Sequence, residues 1–283
     1  MTDQLKIIGQ YILPKHLLTR LAGKLAETKM GKFTTFLITK FIKQFKIDMS
    51  EAKYSDPAYF DTFNDFFTRE LKAGLRPIVE GDANLATPVD GCISQQGDIK
   101  QGRIFQAKGH DFGLRELLGG REDVATPFEE GIFSTVYLAP KDYHRIHMPL
   151  TGKLEKMIFI PGDLFSVNPL TAENVPNLFA RNERAVAIFS TAIGQMAMVL
   201  VGATIVGSIE TVWAGTLKPQ KNKAIQYWDY HDQSIVLEKG AEMGRFKLGS
   251  TIVALFPKNS IEFDKAMAPS SVTRLGELFA TVK

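Results

Sequence analysis

AVAIFSTAIGQMAMVLVGATIVG, Ala185 to Gly207, is the longest uncharged stretch of the chain, and its reading decides the fold. It is long enough to raise the question of a membrane span. Val, Ile and Thr are abundant in it, however, and Gly194-Gln195 interrupts its middle, with Gly202 and Gly207 beyond. Two buried strands joined by a tight turn fit that pattern better than one helix. Outward from it, similar short runs recur between Gly, Pro, Asn and Asp. Strands are expected at Gly91 to Ile99, Phe133 to Leu138, Leu154 to Ile160, Ala185 to Ser190, Ala197 to Val206, Ile209 to Trp213, Ser234 to Leu237 and Thr251 to Phe256. Phe60 to Leu75 reads as a helix stopped by Arg76-Pro77, and Leu114 to Leu118 as a short one. The expected class is α+β: N-terminal amphipathic helices over residues 1–75, followed by one mainly antiparallel β domain with a few short helices over 76–283.

The 283 residues are 45% hydrophobic and 23% charged, ordinary for a folded globular protein with ample core. Cys92 is the only cysteine, which excludes an intrachain disulfide and a cysteine-based zinc site and fits a reducing compartment. Charges run through the N-terminus, so it lacks the order of a signal peptide.

The net charge of +3 is unevenly spread. Residues 1–46 hold nine Lys or Arg against Asp3 and Glu27, which leaves the body mildly acidic. A basic leader of this kind suggests a polyanionic partner surface. Leu17, Leu18, Leu21 and Leu25 share one helical face, with Arg20 and Lys24 away from it. In Lys32 to Ile47, Leu37, Phe41 and Phe45 recur at four-residue steps beside Ile38 and Ile42, with Lys40, Lys43 and Lys46 opposite. The pattern alone accommodates two arrangements: helices lying in an anionic membrane interface, or helices packing their stripes on the protein's own core. It disfavours nucleic acid, because the basic residues flank a wide apolar face.

Three segments and one short string carry candidate chemistry. LGST, Leu248 to Thr251, sets Ser250 directly after Gly249 inside the apolar run RFKLGSTIVALF; such a pair is a bulge or a nucleophile. TPVDGCISQQG places Asp90 before Gly91 at a strand entry, where an exposed turn is the simpler reading. YLAPKDYHRIHMP holds His144 and His147 with no HExxH pattern and no nearby Cys, which argues against zinc. IPGDLFSVNPLTAENVPNLFARNER, Ile160 to Arg184, is dense in Pro, Asn and Phe and reads as an ordered loop covering a site.

Taken in order, FNDFFTREL, PVDGCIS, YHRIHMP, PGDLFSVN, NLFARNER, VGATIVGSIETVWAG and EMGRFKLGST resemble the bacterial phosphatidylserine decarboxylase family, from about Phe60 to Phe256. Residues 217–236 and the tail after Phe256 are the least family-like. The resemblance implies a proenzyme that cleaves itself at Gly249/Ser250 into a β chain (1–249) and an α chain (250–283). It implies that Asp90, His147 and Ser250 form the triad for that cut, with His147 as base and Asp90 orienting its imidazole. Ser250 would survive as a covalent pyruvoyl group that forms a Schiff base with the amine of phosphatidylserine and acts as electron sink, releasing CO2 and phosphatidylethanolamine. His144 would be the proton donor or a headgroup contact, or else only hydrogen-bond its loop. A lipid substrate favours the interfacial arrangement for residues 1–46, at the cytoplasmic face of the cell membrane, and leaves a homo-oligomer open. Two other classes share these residues: a serine hydrolase without self-cleavage, disfavoured by the missing GxSxG elbow, and a non-catalytic surface protein in which LGST is a bulge.

Overall fold

In the computed structural model, residues 3–204, 208–218, 224–247 and 250–283 are described. The expected Gly249 and the last residues of the Ala197–Val206 strand lie outside them. Ala185–Gly207 does fold as two strands: Arg184–Thr191 and Gly194–Val201 pair antiparallel in continuous register, with Thr191 opposite Gly194. Gly194, at φ +97°, takes a left-handed conformation that closes the turn at little steric cost. Ala185 to Phe189 and Met196 to Val201 are buried without alternation, the signature of strands covered on both faces.

This hairpin lies within a nine-stranded antiparallel sheet. The order is Gln226–Asp229, Gly152–Ile160, Arg184–Thr191, Gly194–Val201, Ser250–Phe256, Ile132–Leu138, Gly91–Asp98 and Val272–Thr273, with Val236–Leu237 added beside Gly152–Ile160. The Ser250–Phe256 strand, late in sequence, therefore sits centrally, paired on both edges and buried throughout. A four-stranded sheet runs Gly215–Thr216, Ile209–Thr211, Glu242–Phe246 and Arg145–His147. The class is α+β, as expected.

The helical expectations were met unevenly. Helix α1 (Asp3–Ile12) was not anticipated; α2 (Lys15–Glu27) and α3 (Lys32–Phe45) match the two stripes. Of Phe60 to Leu75 only Phe63–Phe67 is α-helix, α4. A Thr62/Asp65 capping box starts it, and it stops at Thr68 because the following residues are drawn into extended pairing. There, Lys53 N–H donates to the Glu70 carbonyl and Lys72 N–H to that of Glu51.

The two stripes have different fates. On α3, Ile38 is fully buried, and Phe41, Ile42 and Phe45 pack against the core. On α2, Leu17, Leu18, Leu21 and Leu25 are exposed, as are Leu5, Ile8, Tyr11 and Ile12 on α1. No helix among the described residues is long and apolar enough to cross a membrane.

Candidate active site

Ser250 heads the central strand with its Cα opposite Leu138. It is fully buried, and its Oγ has no hydrogen-bond partner among the described residues. Stranding a hydroxyl costs on the order of 1–3 kcal/mol. Ser134, Thr135 and Thr251 share that property. Ser250 differs in being the first residue of the strand; it and Thr251 lie across from Leu138 and Tyr137, which both line a cavity.

That cavity holds about 210 Å³. Its apolar wall comes from Phe41 and Phe45 of α3, Phe67 of α4, and Leu138; Ser166, Asn168 and Thr204 contribute polar groups. Helix α3 thus reaches the site because its aromatic stripe packs inward. The Ile160–Arg184 segment, expected to cover a site, lends Ser166, Val167 and Asn168 to the lining. It is pinned by buried amides: Asn182 bonds both backbone groups of Phe165, and Gln106 bonds the carbonyls of Ala172 and Val175 and the Leu178 N–H.

His144 is fully buried, its ring centroid 4.2 Å from that of Phe67. Its Nδ1 lies 2.8 Å from the Asp142 carbonyl oxygen. A carbonyl only accepts, so Nδ1 carries the hydrogen and the lone pair sits on Nε2. That Nε2 has no partner among the described residues. Burial is the chief reason its pKa falls to about 3, which keeps the ring neutral near pH 7. The loop-bonding role and an unprotonated second nitrogen therefore coexist on one ring.

His147 sits on the Arg145–His147 strand, its N–H donating to the Pro88 carbonyl. Its Nδ1 donates to the Gly240 carbonyl at 2.8 Å, and Tyr143 Oη stands 3.3 Å from Nε2. Gly240 adopts φ +81°, a conformation that favours glycine, and a Cβ there would lie 2.7 Å from Ile78. Burial lowers the His147 pKa, with the Gly240 bond opposing it. Both rings thus present a neutral Nε2 whose proton affinity burial has lowered.

Asp90 is 2% exposed, so the exposed-turn reading fails. Among the described hydrogen bonds, none is donated by His147 to Asp90. Arg76 donates Nη2 to Oδ2 at 2.7 Å, Arg274 reaches Oδ2 at 3.2 Å, and the Leu275 N–H donates to Oδ1 at 2.8 Å. Two guanidinium charges and a backbone donor occupy the carboxylate, while a backbone carbonyl occupies the imidazole's Nδ1. Asp90 still acts on both histidines through its field, which favours their protonated forms. Next to it, Gly91 is required by close approach: a Cβ would lie 2.5 Å from the Tyr137 carbonyl oxygen.

The sequence reading missed Gly240, Tyr143, Arg76, Arg274 and Phe67. Only Tyr143, inside the histidine segment, carried a local signal. Phe67 and Arg76 lay in a segment read as a helix and its stop, and Gly240 and Arg274 in unremarked stretches.

Residues 63–281 match the family model for phosphatidylserine decarboxylase, and residues 5–46 match a model described as PSD. A phosphatidylserine decarboxylase proenzyme of Psychromonas ingrahamii is 76% identical over 281 residues, spanning 99% of this chain and 98% of that protein. One from Shewanella pealeana is 61% identical over 285 residues, covering 99% of each. Another, from Idiomarina loihiensis, is 60% identical, covering 100% of this chain and 98% of the relative. With the β-rich body and its buried serine and histidines, these matches define an enzyme of the carboxy-lyase class. The chain belongs to the phosphatidylserine decarboxylase family.

Proposed function

We propose that this protein is made as a precursor, cuts itself between Gly249 and Ser250, and then decarboxylates phosphatidylserine to phosphatidylethanolamine and CO2 at the cytoplasmic surface of the cell membrane. The observation that carries the reading is the buried, unpartnered Ser250 Oγ at the end of a central strand, across from cavity-lining Leu138.

In the cut, His147 Nε2 takes the Ser250 hydroxyl proton and Oγ attacks the Gly249 carbonyl carbon. The Gly249–Ser250 C–N bond breaks, the freed amine takes the proton, and an ester links the two residues. Loss of the residue 250 Hα and of the Gly249 carboxylate then leaves dehydroalanine. Water replaces its nitrogen, releasing ammonia and leaving a pyruvoyl group. Tyr143 yields the His147 Nε2 during the first step. Asp90 stabilises the imidazolium from a distance, through its field.

The residues present fit such a group: a water-poor position at Ser250, a free imidazole nitrogen on His144, and a cavity with one apolar and one polar side. The pyruvoyl group would supply the electron sink that decarboxylation requires. Ser166, Asn168 and Thr204 face the anionic headgroup, and Phe41, Phe45 and Phe67 face the less polar part of the lipid. His144 holds no proton near pH 7 in the empty site, because burial disfavours its charge. The negative charge of an arriving headgroup raises its proton affinity, so it becomes a donor to the substrate α-carbon only when substrate is bound.

Within residues 1–75, α1 and α2 serve as the lipid-facing part, while α3 and α4 pack on residues 76–283 and complete the catalytic part. The exposed leucines of α2, with Arg20 and Lys24 nearby, support docking on an anionic surface. The deciding experiment is intact mass of the purified protein together with CO2 release from carboxyl-labelled phosphatidylserine. Fragments 1–249 and 250–283, the latter blocked and carbonyl-reactive, with labelled CO2 released, are expected. A single chain with unmodified Ser250 that hydrolyses the lipid and releases no labelled CO2 would overturn the reading and favour a hydrolase.

A further inference from the structure

Helix α1 does more than offer an exposed face, because its other side grips the cavity wall. Gln10 Oε1 accepts a hydrogen bond from the Ser166 N–H at 2.9 Å. The adjacent Tyr11 ring meets Phe165 edge-on, with centroids 5.2 Å apart. Phe165 is itself buried and carries two cations over its ring: Lys15 Nζ of α2 stands 3.2 Å from its ring centroid and the Arg181 guanidinium 4.6 Å. Arg181 and Lys15 both reach Asp163, at 3.1 and 4.0 Å. Ser166, the next residue, lines the cavity. A single polypeptide stretch, 163–168, is thus held by the first two helices through Asp163, Phe165 and Ser166 and lends Ser166, Val167 and Asn168 to the cavity lining.

We propose that Gln10 is a positioning residue for the substrate cavity: through the Ser166 backbone it lets the seating of α1 and α2 on an anionic lipid surface set the position of the 163–168 wall. The proposal rests on the membrane-surface decarboxylase reading above. Leu5, Ile8, Ile12, Leu17 and Leu21 turn away from the body, whereas Gln10, Tyr11 and Lys15 turn toward it. Any tilt of the helices that buries the first set in lipid must carry the second set with it. Gln10 and Ser166 are 156 residues apart, and their hydrogen bond joins α1 directly to the first cavity-lining residue of that stretch, beside the Tyr11 and Lys15 contacts to Phe165. Asn182 fixes Phe165 from the protein side, which makes Phe165 a pivot and Ser166 to Asn168 the part that moves.

The test uses soluble dihexanoyl phosphatidylserine below its micelle concentration, without and with phosphatidylglycerol vesicles that carry no substrate. Vesicles should improve the wild-type KM by about fivefold, the equivalent of one ordinary hydrogen bond, with kcat little changed. Gln10→Leu should bind the vesicles yet lose that response, and Gln10→Glu, which keeps an acceptor oxygen, should restore it. Independently of maturation, hydrogen exchange of the 163–168 backbone in the Ser250→Ala precursor should change when vesicles are added. Vesicle binding with unchanged exchange, or with the same KM response in Gln10→Leu as in wild type, overturns the coupling alone. Failure of the wild type to bind anionic vesicles overturns the membrane reading and the coupling with it.

Discussion

Arg76 and Asp90 form a buried ion pair, Nη2 to Oδ2 at 2.7 Å, with side chains 10% and 3% exposed. Arg274, from the segment that would become the small chain, joins the same carboxylate at 3.2 Å. Removing one member of a buried pair leaves the other uncompensated, at a cost of about 3–5 kcal/mol. Asp90→Ala should therefore lower the melting temperature sharply. Asp90→Asn should also slow fragment formation on a denaturing gel, since the field that favours protonated His147 is lost. Cleavage at the wild-type rate in Asp90→Asn would confine Asp90 to a structural role.

Ser250→Ala should abolish the cut without harming the fold. The Oγ makes no hydrogen bond among the described residues, so its removal strands none of them and relieves a buried hydroxyl by about 1 kcal/mol. The variant should run as one chain and melt no lower than wild type. A marked loss of stability would show that the hydroxyl has a partner in the folded protein.

The cut products should remain together. The Ser250–Phe256 strand is paired with both Gly194–Val201 and Ile132–Leu138, and every residue of it is buried. Native gel filtration should elute the two fragments as one species, separable only in denaturant. Loss of the small chain in native buffer would contradict the sheet order.

Acid should destabilise the precursor. The His144 pKa is about 3 in the folded chain against 6.5 ordinarily, so between those values the unfolded chain binds a proton that the native one refuses. Stability therefore falls as pH drops below about 6.5, with a slope approaching about 1.4 kcal/mol per pH unit for such a group. His147, also lowered by burial, adds in the same direction. Melting temperatures of Ser250→Ala and of Ser250→Ala/His144→Phe between pH 4 and 8 would check this. An unchanged slope in the double variant would mean that His144 does not contribute it.

Lipid docking should depend on α2 while α3 serves the core. Leu17→Glu with Leu21→Glu should weaken sedimentation with anionic vesicles and leave the melting temperature nearly unchanged, because both side chains are exposed. Added salt should weaken binding of the wild type as well. Ile38→Ala on α3 should instead cost about 2–5 kcal/mol of stability, because that side chain is fully buried. Equal vesicle binding by the double variant would remove α2 from the interface.

By itself the sequence determined the strand-rich body, the hairpin within Ala185–Gly207, the two amphipathic stripes and the motif order that marks the family. These are properties of local period, turn chemistry and residue type, which neighbouring residues settle among themselves. The same local reasoning overextended α4, because pairing of residues 51–53 with 70–72 is a long-range event. Only the tertiary structure decided where each stripe points, since burial depends on what packs opposite. It also decided the partners of the chemical groups. Asp90 meets Arg76 and Arg274 and leaves His147 to the Gly240 carbonyl, because folding brings those distant groups, with stronger or better-placed bonds, to the same few ångströms.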